Sequence, residues 1–280
     1  MIVGLFPKWG LSPLERKENM SHTQVDLKGK VVLITGASRG IGKAVATRMA
    51  SQGASLVLAA RTQGPLDEVV HHLKDKYGID AIGVPTDVGK LEDLKNLVNK
   101  AKARFKQIDI LINVAGVSSQ HPFHLQPIED FETLANTNFL GYVRLIRLVI
   151  PDMVERKNGH LINVVSGSTL VDPIPRGFLA YSSLKMGLRA FLKGLFWEMR
   201  EHNIKVTSLL PGVVASDLTD HLKDVAQTQR DRLMDPVAVA DMVSFALSVP
   251  ANANPLELAV INQLTTWTKP IIDYQQTQAK

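Results

Sequence analysis

Val31-Val32-Leu33-Ile34-Thr35-Gly36-Ala37-Ser38-Arg39-Gly40-Ile41-Gly42 decides the fold of this chain. The apolar run reads as a buried strand, and Lys43 to Ser51 behind the glycines reads as a helix. A strand that ends in a glycine turn and enters a helix is a phosphate-binding device. The glycines let the backbone approach a ligand closely, and the helix's unpaired N–H groups and positive dipole end receive its charge. The spacing is Gly-x-x-x-Gly-x-Gly, which differs from the Gly-x-Gly-x-x-Gly dinucleotide fingerprint.

Outward from this stretch, short apolar runs alternate with longer amphipathic ones. Strands are predicted at Val31–Thr35, Ser55–Ala60, Ala81–Thr86, Ile108–Asn113, Gly159–Ser166, Lys205–Leu210 and Leu256–Ile261, and helices near 41–52, 64–77, 90–106, 128–157, 180–202 and 236–248. Runs such as Ile108-Asp109-Ile110-Leu111-Ile112 suit strands covered on both faces. Strict β–α alternation predicts a single-domain, doubly wound parallel sheet of about seven strands flanked by helices.

The 280 residues are 45% hydrophobic, enough for a large core, and carry a mild formal charge of +5. The chain has no cysteine, so disulfide and thiolate chemistry are out, and a reducing, cytoplasmic setting is expected. Its basic residues are spread without interleaved aromatics, which does not point to nucleic acid. No apolar window reaches the length of a membrane span, so no membrane partner is expected. Residues 1–28, with Phe6, Pro7, Trp9 and Pro13, are read as a poorly ordered extension, 29–265 as the domain, and 266–280 as a tail. The histidines at 71, 72, 121, 124 and 160 lack metal-ligand spacing, and no metal is assigned.

Ligands in such a sheet sit beyond the carboxyl ends of the strands. The second strand ends at Ala60-Arg61, without the carboxylate that a ribose 2′-hydroxyl would require. Arg61 and Arg39 instead offer two guanidinium groups suited to a 2′-phosphate, which favours NADP over NAD. Asp87-Val88 follow the third strand, where they are candidates for the adenine edge. Asn113-Val114-Ala115-Gly116 follow the fourth, where small residues let backbone lie against a cofactor and Asn113 can brace the neighbouring strand. Ser166-Gly167-Ser168 follow the fifth. Tyr181 and Lys185 lie four apart on one helix, so a phenol and an ammonium share a face. An ammonium beside a tyrosine favours phenolate and lowers a pKa that is otherwise near ~10.

The ordered set Thr35-Gly36-x-x-x-Gly40-x-Gly42, Asn113-x-Ala115-Gly116, Asn138, Ser166, Tyr181-x-x-x-Lys185 and Pro211-Gly212 resembles the classical short-chain dehydrogenase/reductase family over about residues 27–262. The resemblance implies a Rossmann-type oxidoreductase that moves a hydride between NADPH/NADP+ and a carbonyl or alcohol substrate. Tyr181 would be the general acid, Lys185 would hold the nicotinamide ribose and lower the tyrosine's pKa, Ser166 would bond the substrate carbonyl, and Asn138 would maintain a proton relay through water. Gly36, Ser38, Arg39, Gly40, Ile41, Gly42, Arg61, Asp87, Val88, Asn113, Ala115, Gly116, Pro211, Gly212, Val214 and Ser216 would line the cofactor with Tyr181 and Lys185. The serine stands 15 positions before Tyr181 if it is Ser166 and 13 if it is Ser168. Strand register favours Ser166, because a buried strand slips less readily than a loop lengthens.

The pocket walls are expected at Val117–Leu125, Thr169–Leu179 and Val213–Leu233, with Ser216 to Arg232 of the last as a mobile lid. Leu170, Val171, Ile174, Pro175 and Phe178 suggest an apolar carbonyl compound. The resemblance also implies a homodimer or homotetramer built through the helices near 128–157 and 180–202.

Overall fold

Strand β1 (Val31–Thr35) is buried at all five positions, as its unbroken apolar run requires of a strand covered on both faces. The computed structural model describes residues 25–216 and 233–263. Around β1 lie β2 (Ser55–Ala60), β3 (Ala81–Pro85), β4 (Ile110–Asn113), β5 (Gly159–Val164), β6 (Ile204–Pro211) and β7 (Glu257–Val260). They form one parallel sheet in the order β3-β2-β1-β4-β5-β6-β7. The order reverses between β1 and β4, which opens a crevice at their carboxyl ends.

Alternation along β1 divides the core. Val32 and Ile34 pack against α1 (Gly40–Ser51), α2 (Gln63–Tyr77) and α7 (Pro236–Ser248). Val31 and Leu33 face α3 (Leu91–Phe105), α5 (Gly141–Arg156) and α6 (Leu179–Met199). The doubly wound sheet expected from the alternation is therefore present. No helix among the described residues is long and apolar enough to cross a membrane, and none of their His, Asp and Glu side chains gather in threes as a metal site would need.

Beyond shifts of a residue or so at element ends, three boundaries that bear on the site differ from the sequence reading. The helix expected over 128–157 is α4 (Ile128–Ala135), a π-helical turn (Asn136–Leu140) and then α5. The wider turn coincides with Asn138, which is fully buried and bonded to backbone outside the helix. Strand β4 starts at Ile110, because Asp109 turns its carboxylate onto the Val31 N–H (2.9 Å) and the Gln107 amide. Strand β5 ends at Val164, so Ser166 lies just past the ladder. Residues 1–24 of the expected extension, 217–232 of the expected lid, and the tail at 266–280 lie outside the described residues.

His160, near the start of β5, is buried and shares a 2.9 Å hydrogen bond with the Thr207 hydroxyl. Burial, aided by the Lys205 charge, pushes its pKa down to about 3. The folded state therefore keeps His160 neutral while the unfolded chain protonates it below about pH 6.5. Its contribution to stability is complete above that pH and falls by about 1.4 kcal/mol per unit as the pH drops toward 3. Urea unfolding between neutral pH and about pH 4 should show His160→Gln losing stability less steeply than the wild type, by close to one proton. Equal slopes would contradict this.

Candidate active site

The glycine turn is shaped by backbone contact. Gly36 has φ +67°, and a Cβ there would lie 3.0 Å from the Ala115 Cα. A Cβ on Gly42 would fall 2.0 Å from the Gly36 carbonyl oxygen, so the helix can start here only on glycine. Arg39 precedes α1 without a side-chain cap, and the first turn carries no carboxylate. The leading N–H groups of α1 thus meet neither a cap nor an anion of their own turn, which fits a phosphorylated ligand. Ser38 and Ile41 are half-buried, whereas Arg39 and Arg61 are exposed at the ends of β1 and β2. Ser216, beyond β6, comes within 3.3 Å of the Cβ position of Gly40, so the segment after β6 closes on the glycine turn.

The β1 and β4 ends are tied through Thr35. Its buried hydroxyl accepts from the N–H groups of Val114 (3.0 Å) and Ala115 (3.1 Å). Asn113 braces β5, donating its Nδ2 hydrogen to Asn163 Oδ1 (3.0 Å). Gly116 is exposed and lies against Asn138, whose Oδ1 is 3.1 Å from its Cβ position. Asn138 accepts from the Val117 N–H (3.0 Å) and donates to the Val117 carbonyl (2.8 Å), fixing the segment after β4. Asp87 caps its own turn by accepting from the Gly89 N–H (3.0 Å), and the Val88 side chain belongs to the core. The Asp87 N–H donates to Asp93 Oδ2 (2.8 Å) and its carbonyl accepts from the Lys90 N–H (2.9 Å), so its backbone is committed to the turn. Pro211 ends β6; beyond it Gly212 is half-buried and Val214 is buried.

At the end of β5 three groups of the predicted set meet. The Ser166 hydroxyl faces the Tyr181 phenol, near enough to pull its pKa down. It also accepts from the Ser168 N–H (3.0 Å), while the Ser168 side chain is buried and its hydroxyl has no partner. The geometry thus joins Ser166, rather than Ser168, to the tyrosine. Lys185 is 2% exposed. Its Nζ donates to the Val164 carbonyl (3.1 Å) and stands 4.7 Å from the centre of the Tyr142 ring.

The electrostatics differ from the expected pairing. Burial pushes the Tyr181 phenol up from 10, and the nearby Ser166 hydroxyl pulls it partly back. Burial likewise brings Lys185 down to about 7. The phenol is therefore held in its protonated form at neutral pH, not drawn toward phenolate by the ammonium. Two contributions were not read from the sequence: the bracing role of the Thr35 hydroxyl, and Tyr142. Tyr142 carried no signal of its own, since a tyrosine on a buried helix face reads as core. Near the mouth, Gly177 comes within 3.9 Å of Gln120 at its Cβ position, so the segments 169–179 and 117–125 adjoin. Leu170, Leu179, Phe123 and Leu125 are exposed there.

A family model for short chain dehydrogenases matches residues 30–227. The chain belongs to the short-chain dehydrogenase family. An uncharacterised oxidoreductase of Staphylococcus saprophyticus is 33% identical over 84% of this chain and 98% of its own. This dehydrogenase also superimposes on L-sorbose reductase from Gluconobacter frateurii, solved with NADPH and L-sorbose (TM-score 0.76, 29% identity, 86% of this chain and 98% of that one). An alcohol dehydrogenase from Thermococcus sibiricus, solved with 5-hydroxy-NADP, matches at TM-score 0.75 and 26% identity over 86% of this chain and 98% of its own.

Because Thr35 serves two backbone donors, Thr35→Val should cost this dehydrogenase about 2–3 kcal/mol in chemical denaturation, and Thr35→Ser much less. Equal losses for the two variants would show that the hydroxyl is not the tie.

Proposed function

We propose that this oxidoreductase reduces an apolar ketone or aldehyde with NADPH, and oxidises the corresponding alcohol in reverse. The observation that carries the reading is the Ser166 hydroxyl facing the Tyr181 phenol at the end of β5, with buried Lys185 one helical turn on. Bound in the crevice, the nicotinamide would supply the hydride.

The chain's own residues do the rest. Tyr181, kept protonated by burial, donates its proton to the carbonyl oxygen, the state that reduction requires. Ser166 orients that oxygen by a second hydrogen bond. Lys185 holds the nicotinamide ribose, and Asn138 fixes the Val117 segment that borders it. Gly36, Gly40 and Gly42, with the leading N–H groups of α1, receive the pyrophosphate. Arg39 and Arg61 take the 2′-phosphate, a preference that accords with the NADP-type ligands of the two solved relatives. The exposed Leu170, Leu179, Phe123 and Leu125 favour an apolar substrate. A cytoplasmic setting accords with the absence of cysteine.

The reading is tested by NADPH oxidation over a panel of dicarbonyl compounds. Tyr181→Phe should lower kcat by about 10²–10⁴-fold, with NADPH binding retained. Wild-type turnover in Tyr181→Phe, or binding of NADPH with no turnover by the wild type on any compound, would overturn the enzyme reading. Arg61→Asp should weaken NADPH by about 10–100-fold and leave NADH little changed; an unaltered preference would remove Arg61 from the cofactor site.

We also propose a homodimer or homotetramer. Trp197 on α6 is 60% exposed beside Phe196, an apolar surface suited to a second copy. Light scattering should give a dimer or tetramer that Trp197→Glu shifts toward monomer. A monomeric wild type would contradict the proposal.

A further inference from the structure

Lys185 poses a problem of charge. A lysine that is 2% exposed needs partners for its ammonium, yet no carboxylate among the described residues forms an ion pair with it. Two groups stand in for one. The Val164 carbonyl accepts from Nζ at 3.1 Å, and the Tyr142 ring presents itself 4.7 Å away. Tyr142 is itself 2% exposed, and its hydroxyl donates to the same Val164 oxygen at 3.1 Å. That bond ties the ring's far end to β5 while its first-turn place on α5 ties the near end. The ring is thus anchored at both ends beside the ammonium.

We propose that Tyr142 is a positioning residue for Lys185, holding its ammonium at the end of β5 through its ring face and through the carbonyl they share. The proposal rests on the reading of Lys185 as a site residue, and adds a residue that the motif set does not contain. An aromatic face stabilises a desolvated cation and does nothing for a neutral amine. Removing the ring should therefore lower the pH at which Lys185 loses its proton, which burial already brings to about 7. The other titratable groups of this cluster are Tyr142 on α5 and Tyr181 on α6, whose phenol adds to the upward push on Tyr142.

The test is an NMR titration of the full-length protein with ¹³Cε-labelled lysine, the Lys185 signal assigned by its loss in Lys185→Met. Tyr142→Leu should move the Lys185 titration to lower pH by about one unit. Tyr142→Phe, which keeps the ring, should move it by less than half as much. If the leucine variant does not fold, pentafluorophenylalanine at position 142 replaces it, since fluorination inverts the ring's charge distribution at nearly constant shape. An unchanged titration in the ring-deficient variant, or an equal shift in Tyr142→Phe, would overturn the proposal. In the dicarbonyl assay, Tyr142→Leu should lose about tenfold in kcat/KM, with an alkaline limb displaced toward acid, and Tyr142→Phe should stay near wild type. Wild-type activity in Tyr181→Phe would instead overturn the reading of the reaction and leave the Lys185 titration standing.

Discussion

Two donors converge on one backbone oxygen, the carbonyl of Val164 at the end of β5: Lys185 Nζ and the Tyr142 hydroxyl, each at 3.1 Å. Buried donors must find acceptors, and an ammonium this deep must find one or give up its proton. The carbonyl is available because Val164 is the last residue of its strand, with α5 and α6 packed over the same face of the sheet. Two residues further on, Ser166 leaves the ladder and meets Tyr181. The strand end therefore fixes both the hydroxyl pair and the lysine. Burial sets their protonation, with the phenol pushed up and the ammonium brought down to about 7.

The neighbouring strand ends are held by polar ties of the same kind. Thr35 links β1 to the segment after β4, Asn113 links β4 to β5 through Asn163, and Asn138 grips Val117 from the π-helical turn. In a parallel sheet all carboxyl ends lie on one edge, so these ties act together to hold the rim of the crevice. The glycine turn needs close backbone approach, and the Thr35 bonds supply it by drawing Ala115 against Gly36.

Much of this was legible in the sequence because hydrophobic period and strand-end chemistry are local signals. The buried run at β1, the glycine turn after it, and the shared face of Tyr181 and Lys185 could all be read from spacing. The break at Asn136–Leu140 could not, since a π-helical turn leaves the apolar periodicity on either side intact. Tyr142 was equally hidden, because a tyrosine on a buried helix face reads as core until the acceptor of its hydroxyl is known. The expectation that Lys185 lowers the Tyr181 pKa treated the pair as isolated. Burial of both groups, and the turn of the ammonium toward Val164, lie outside sequence reasoning.

On the proposed reading, the end of β5 is the reacting centre of an NADPH-dependent carbonyl reductase. A crystal structure with NADPH and a slowly turned-over dicarbonyl compound tests it most directly. The carbonyl oxygen should lie within hydrogen-bond reach of both the Tyr181 and Ser166 hydroxyls, with Lys185 on the nicotinamide ribose and the 2′-phosphate between Arg39 and Arg61. A substrate carbonyl bound away from Tyr181, or held by Ser168 in place of Ser166, would contradict it.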